Sequence, residues 1–242
     1  MRRTLPWPSI PWPSVVGCLF LSGTGAAAQT GPAAQVVTLD EGTFQISVDG
    51  RPVGTETFTI RQSGVGIDGQ VLAAAQLELV EEGEPLHLRV ALDARVGDLS
   101  VRRYEVKSSG SVEEDIRGEQ SGQRFVSSTS TRGGEQEREF RATPRTVVLD
   151  SGVSHQYFFL VSRLPSGSTV PAVAPRAGRQ YDLRVTEVGN ETLLIGGQQL
   201  AARHLSAEGG GETRDLWVDQ EGRVLQVRVV QSRYLAVREE AP

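Results

Sequence analysis

Cysteine is almost missing from this chain. Cys18 is the only one in 242 residues, so no internal disulfide and no cysteine metal site can form. Lysine is as scarce: Lys107 stands alone, and nearly all the positive charge is arginine. Acidic residues number 30 against 25 basic, a formal charge of −5, and the basic residues are scattered singly. That balance argues against a nucleic-acid surface. Long hydrophobic runs are absent too. Val15–Leu21 (VVGCLFL) is far shorter than the ~20 residues of a membrane span. The three histidines, His87, His155 and His204, fall on separate elements with no carboxylate or cysteine at metal-ligand spacing. No metal or cofactor is expected.

Residues 1–28 read as a secretory signal peptide, with Arg2 and Arg3 at its start and Ala26-Ala27-Ala28 before Gln29 as the cleavage site. Loss of the two arginines leaves 23 basic residues against 30 acidic, near −7. Two Pro-Trp-Pro segments (6–8 and 11–13) are unusual there and point to a later start codon. Val15-Val16-Gly17-Cys18 also resembles a lipobox, which would make Cys18 a lipidation site. Soluble export to the periplasm or outside the cell is the expectation, with anchoring through Cys18 the alternative. Residues 29–40 read as a flexible tail and 41–238 as one antiparallel β domain.

Within that domain, Phe44, Ile46 and Val48 alternate with Gln45, Ser47 and Asp49, the two-residue period of a half-buried strand. Asp49-Gly50 supplies the positive φ pair of a type I′ turn. Beyond it Glu56, Phe58 and Ile60 share one face, with Thr55, Thr57 and Thr59 on the other. A second hairpin, Thr213–Val230, turns at Asp219-Gln220-Glu221-Gly222. Between them, short strands follow at intervals of about ten residues, a meander rhythm: 71–80, 86–92, 100–107, 112–117, 124–131 and 135–142, then 181–188, 191–195 and 199–206. Apolar residues thin out in the middle strands, so one face there must be wet, as antiparallel sheets allow.

The period then changes. Val153, Tyr157, Leu160, Val161 and Leu164 form one helical stripe widened by Phe158 and Phe159. Asp150 or Ser151 is a fitting N-cap and Pro165 a stop. The spacing predicts one helix over about 150–164, packed against a sheet, with 166–177 as a linker. The fold expected is mainly β: a strongly curved antiparallel sheet or open β-barrel with this one buried helix.

Little in the chain carries chemistry. Ser154 and His155 are neighbours in sequence, and neighbours on a helix do not face each other. Glu113 and Asp115 could converge on one strand face, but a catalytic role needs them beside His87, and solvation is the ordinary fate of such a pair. The glycine runs lack the helix and lysine of a phosphate loop. No catalytic residue is assigned. What remains is Tyr157, Phe158, Phe159 and Trp217. These either fill the core or line an apolar cavity for a lipid or acyl chain.

Three segments, FQISVDGRPVGTETFTI, VLDSGVSHQYFFLVSRLP and DLWVDQEGRVLQVRV, together resemble an exported bacterial β-sheet family of unknown function. That family is similar in architecture to the outer-membrane lipoprotein carrier half-barrels. The resemblance implies an envelope location and, through the carriers, a hydrophobic ligand; no functional residue transfers. The function expected is a non-enzymatic periplasmic or envelope module that binds or carries a hydrophobic ligand or docks an envelope partner. The alternative is a structural or interaction protein with a filled core.

Overall fold

The computed structural model describes residues 36–66, 69–162 and 167–242. The expected signal peptide, Cys18 and residues 29–35 lie outside them. Fifteen strands, β1 (Val36–Val48), β2 (Arg51–Ser63), β3 (Gln70–Glu81), β4 (Glu84–Arg95), β5 (Val101–Gly110), β6 (Glu114–Ser121), β7 (Arg124–Thr131), β8 (Gly134–Arg141), β9 (Val147–Val148), β10 (Ser168–Ala174), β11 (Arg179–Ile195), β12 (Gln198–Gly209), β13 (Glu212–Val218), β14 (Val224–Val229) and β15 (Tyr234–Arg238), surround one short helix, α1 (Tyr157–Val161). They form a single sheet in the order 8-7-6-5-4-3-2-1-15-14-13-12-11-10-9. Two meanders, β1–β8 and β10–β15, therefore meet where the first strand pairs antiparallel with the last. Every pairing is antiparallel except β9 with β10.

The opening hairpin forms as its pattern predicts. Asp49 and Gly50 hold φ of 53° and 73°, the two positive values a type I′ turn requires, and Val48 pairs with Arg51. Gly54 is another position that requires glycine. At φ 149° an added Cβ would lie 1.9 Å from the Glu78 carbonyl oxygen, so the β2–β3 contact has no room for a side chain. In the second hairpin, the Asp219 N–H donates to the Arg223 carbonyl (3.0 Å) and the Asp219 carboxylate accepts the Arg223 N–H (2.8 Å).

The sheet curls without closing into a barrel. Edge strand β8 meets β11 through side chains in place of a ladder. The Gln180 amide on β11 accepts the Arg141 N–H of β8 (3.2 Å) and donates to the Arg141 carbonyl (2.6 Å), imitating a peptide group. Inward side chains of both meanders form one continuous apolar core with residues 147–161.

Four boundaries differ from the sequence reading. The tail predicted over 29–40 ends earlier: Val36–Asp40 already belong to β1 because Asp40 is buried against Arg238. The expected linker contains β10, whose Val170, Ala172 and Val173 are fully covered. The two strands expected at 181–188 and 191–195 are one strand with a bulge between Glu187 and Gly189. The helix is also shorter than the predicted 150–164. Only Tyr157–Val161 are α-helical, and residues 150–156 run as turns held by side chains.

Candidate functional site

Residues 149–161 form a plug inside the curl, and its turns leave backbone groups that a helix would have satisfied. Buried polar groups must find partners or cost free energy. Glu56 satisfies two of these backbone groups. It points inward from β2 in register with Phe58 and Ile60 and is fully buried. Its carboxylate accepts the N–H of Ser154 (2.6 Å), the N–H of His155 (2.9 Å) and stands 2.6 Å from His155 Nδ1. The His155 ring also stacks on Phe58 at 6.1 Å. The Ser154 hydroxyl lies 2.7 Å from the Tyr234 hydroxyl of β15.

A second anchor holds the start of the plug. Asp150 Oδ2 accepts the Tyr104 hydroxyl of β5 (2.6 Å), Asp150 Oδ1 accepts the Arg176 N–H (3.0 Å), and the Asp150 N–H donates to the Gln156 side chain (2.8 Å). Arg176 also reaches Glu114 at 3.0 Å. Asp150 is thus a buried hub and not the predicted N-cap. Gln156 precedes the helix and makes no side-chain cap bond. Burial raises the Asp150 carboxyl to about 6, with Tyr104 and Arg176 pulling the other way. Burial also pushes the hydroxyls of Tyr104, Tyr157 and Tyr234 above the ordinary tyrosine value. Polar strand residues from β2, β5 and β15 converge on one segment, which is why the sheet wraps it.

Above the plug a cleft of about 430 Å³ opens, lined by Asp150, Tyr157, Arg176, Glu212, Arg214 and Tyr234 among others. Its cations are engaged. Arg214 binds Glu212, the Gly209 carbonyl (3.0 Å) and the Tyr181 hydroxyl (3.2 Å), and Arg176 holds Glu114.

The four residues expected to line an apolar cavity separate. Tyr157, Phe158 and Phe159 are 5%, 8% and 0% exposed within the core, the two phenylalanines packed edge to face at 5.4 Å. Trp217 is not beside them. Its neighbours Leu216 and Val218 face the core, so alternation turns Trp217 to the opposite face. There it joins Ala202 and Leu225 in a separate small cluster. It stacks on His204 at 4.5 Å and donates to Glu191 (2.9 Å). His204 in turn lies between Glu191 (2.7 Å) and Asp215 (3.2 Å).

The sequence treated Ser154 and His155 as unable to cooperate, and their partners differ: Tyr234 for one, Glu56 for the other. His155 Nε2 has no hydrogen-bond partner among the described residues and is buried. Glu113 and Asp115 pair with Arg132 and Arg117, and His87 is exposed on β4. Among the described residues no group of three or more His, Cys, Asp or Glu is placed to hold a metal ion, and no helix is long and apolar enough to cross a membrane. Sequence reasoning missed Glu56 as a plug ligand. The signal was available, since a charged residue occupies the inward register of a strand otherwise lined by Phe58 and Ile60.

Fold and plug together define a β-barrel-like protein: an all-antiparallel curl, apart from β9, around an internal segment. A solved structure of this class, the β-barrel-like protein of the domain of unknown function DUF1849 from Brucella abortus, matches with a TM-score of 0.52 at 8% sequence identity. The match covers 85% of this chain and 96% of that one. Identity that low speaks to the fold alone. No protein-family model and no curated protein matches the chain.

Proposed function

We propose that this chain is an exported, non-enzymatic protein of the bacterial envelope that acts through its surface, as an interaction module with a filled interior. The leader-like residues 1–28 support export. The observation that favours a filled module over a carrier of apolar ligands is the Glu56 clamp. A lid over an acyl-chain cavity must move, and this plug is bound through two of its backbone N–H groups to a fully buried carboxylate. Charge-assisted bonds of that kind are among the strong ones. The aromatic rings that would grip an acyl chain are spent on packing. The polar cleft above the plug and the outer sheet face are then the surfaces left for an envelope partner.

Native mass spectrometry of the gently purified chain, with titration of a fluorescent fatty acid, tests this reading. It predicts a bare protein mass and no saturable uptake. A co-purifying lipid, or one fatty acid bound per chain, would restore the carrier reading.

A further inference from the structure

The outward face of β2–β5 holds a trough of about 630 Å³, on the side of the sheet away from the plug. Its origin is the shortness of the outward residues. Thr59, Ala74 and Ala91 stand side by side across three strands, with Thr57 two residues along β2, and leave a low floor where longer side chains surround it. Gln76, Glu78, Arg89, Glu105 and Lys107 line its borders. A second depression of about 420 Å³ adjoins it, sharing Arg89 and Lys107 and adding His87.

The register sets the charge. Several carboxylates of this face stand directly across from a basic residue: Glu78 opposite His87, Asp93 opposite Arg103, Glu105 opposite Arg117 and Asp115 opposite Lys107. Arg89 has no carboxylate directly across from it, since Lys107 is opposite it on one side and Gln76 on the other. Like charges directly across a strand pair repel. Asp115, the other neighbour of Lys107, is drawn to Arg117 at 3.4 Å. No salt bridge reaches Arg89 or Lys107 among the described residues. Glu78 and Glu105 also line the trough, yet neither is bridged to these two cations, which stand adjacent beside a low floor of threonine and alanine.

We propose that this trough binds a small ligand with an oxyanion head, phosphate or carboxylate, held between Arg89 and Lys107, and an uncharged body lying over Thr57, Thr59, Ala74 and Ala91. Arginine supplies a planar fork to the oxyanion and lysine a point charge. The volume is that of an ordinary small-molecule site, about 300–1,000 Å³. The site is independent of the interior and of how the plug behaves.

Because Lys107 is the chain's only lysine, an amine acylating reagent reports on this one side chain, its peptide separable by mass from the chain's N-terminal amine. The full chain is labelled with inorganic phosphate, glucose 6-phosphate or butyl phosphate present, each against sodium chloride of equal ionic strength. One of the two esters is expected to slow Lys107 acylation saturably and more than inorganic phosphate does. The sugar ester acting alone identifies a polar body, the alkyl ester an apolar one. Arg89→Gln is expected to abolish the protection, and Arg184→Gln, on β11, to leave it intact. Labelling that no probe slows, protection equal with inorganic phosphate, or protection that survives Arg89→Gln would each overturn the site.

Discussion

The carboxylate of Glu56 lies 2.6 Å from the backbone nitrogen of Ser154, a residue 98 positions further along the chain. One inward-facing acid on β2 thus ties down the plug inside the curl. Glu56→Ala removes every one of these acceptors and leaves buried donors unsatisfied. The expected loss is about 3–5 kcal/mol, the range for breaking a buried polar pair from one side. Glu56→Gln keeps one oxygen and should cost less. Urea unfolding of the three proteins checks both the size and the order.

Asp150 makes a pH prediction. Its carboxyl is raised from 3.8 to about 6 by burial, so between those values the folded chain holds a proton that the unfolded chain has released. The stabilising contribution is complete below the unfolded value and is lost as pH rises through about 6. Two units at 1.36 kcal/mol each give about 3 kcal/mol. Burial also raises Asp40 and Asp93, so the informative quantity is the difference between wild type and Asp150→Asn. Unfolding free energies from pH 4 to 7 should show wild type losing ground to the variant across that window. A flat difference would contradict the assignment.

Arg238 locks the junction of the two meanders. Its guanidinium is buried, bound to Asp40, the Val224 carbonyl (2.6 Å) and the Glu41 carbonyl (3.1 Å). It lies over the rings of Phe44 and Phe58 at 5.6 and 5.1 Å. Arg238→Ala strands the Asp40 carboxylate in the core and should cost about 3–5 kcal/mol. Arg238→Ala with Asp40→Ala should recover part of that loss, because the stranded charge is gone. A double-mutant cycle by thermal unfolding measures it.

Phe159 has no exposed surface. Phe159→Ala should cost about 3–5 kcal/mol as a cavity opens in the core. An unchanged urea midpoint would show that the ring is not packed as described.

Much of the fold could be read from alternation alone. The opening hairpin, with Asp49-Gly50 at its turn, and the closing hairpin at Asp219–Gly222 are specified locally, and local patterns are what a sequence displays. The plug was legible only in part. Tyr157, Phe158 and Phe159 announced a buried apolar segment, but the same stripe overstated the helix, because residues 150–156 take their order from Glu56, Tyr104 and Tyr234. Those partners lie between 46 and 99 positions away, and spacing within the segment carries no trace of them. Trp217 illustrates the converse. Its period-two position already set it opposite Leu216 and Val218, and grouping it with the helix aromatics followed residue type over register. Strand β10 was hidden because Val170, Ala172 and Val173 sit among Ser, Pro and Ala, a composition that reads as linker.

Native-state hydrogen exchange at the Ser154 and His155 amides tests the central claim most directly. If the plug is a fixed part of a filled interior, these two N–H groups exchange only with global unfolding, as slowly as the best protected strand amides. Fast exchange at both, with the sheet still protected, would mean that the segment opens on its own and that the interior is a gated cavity.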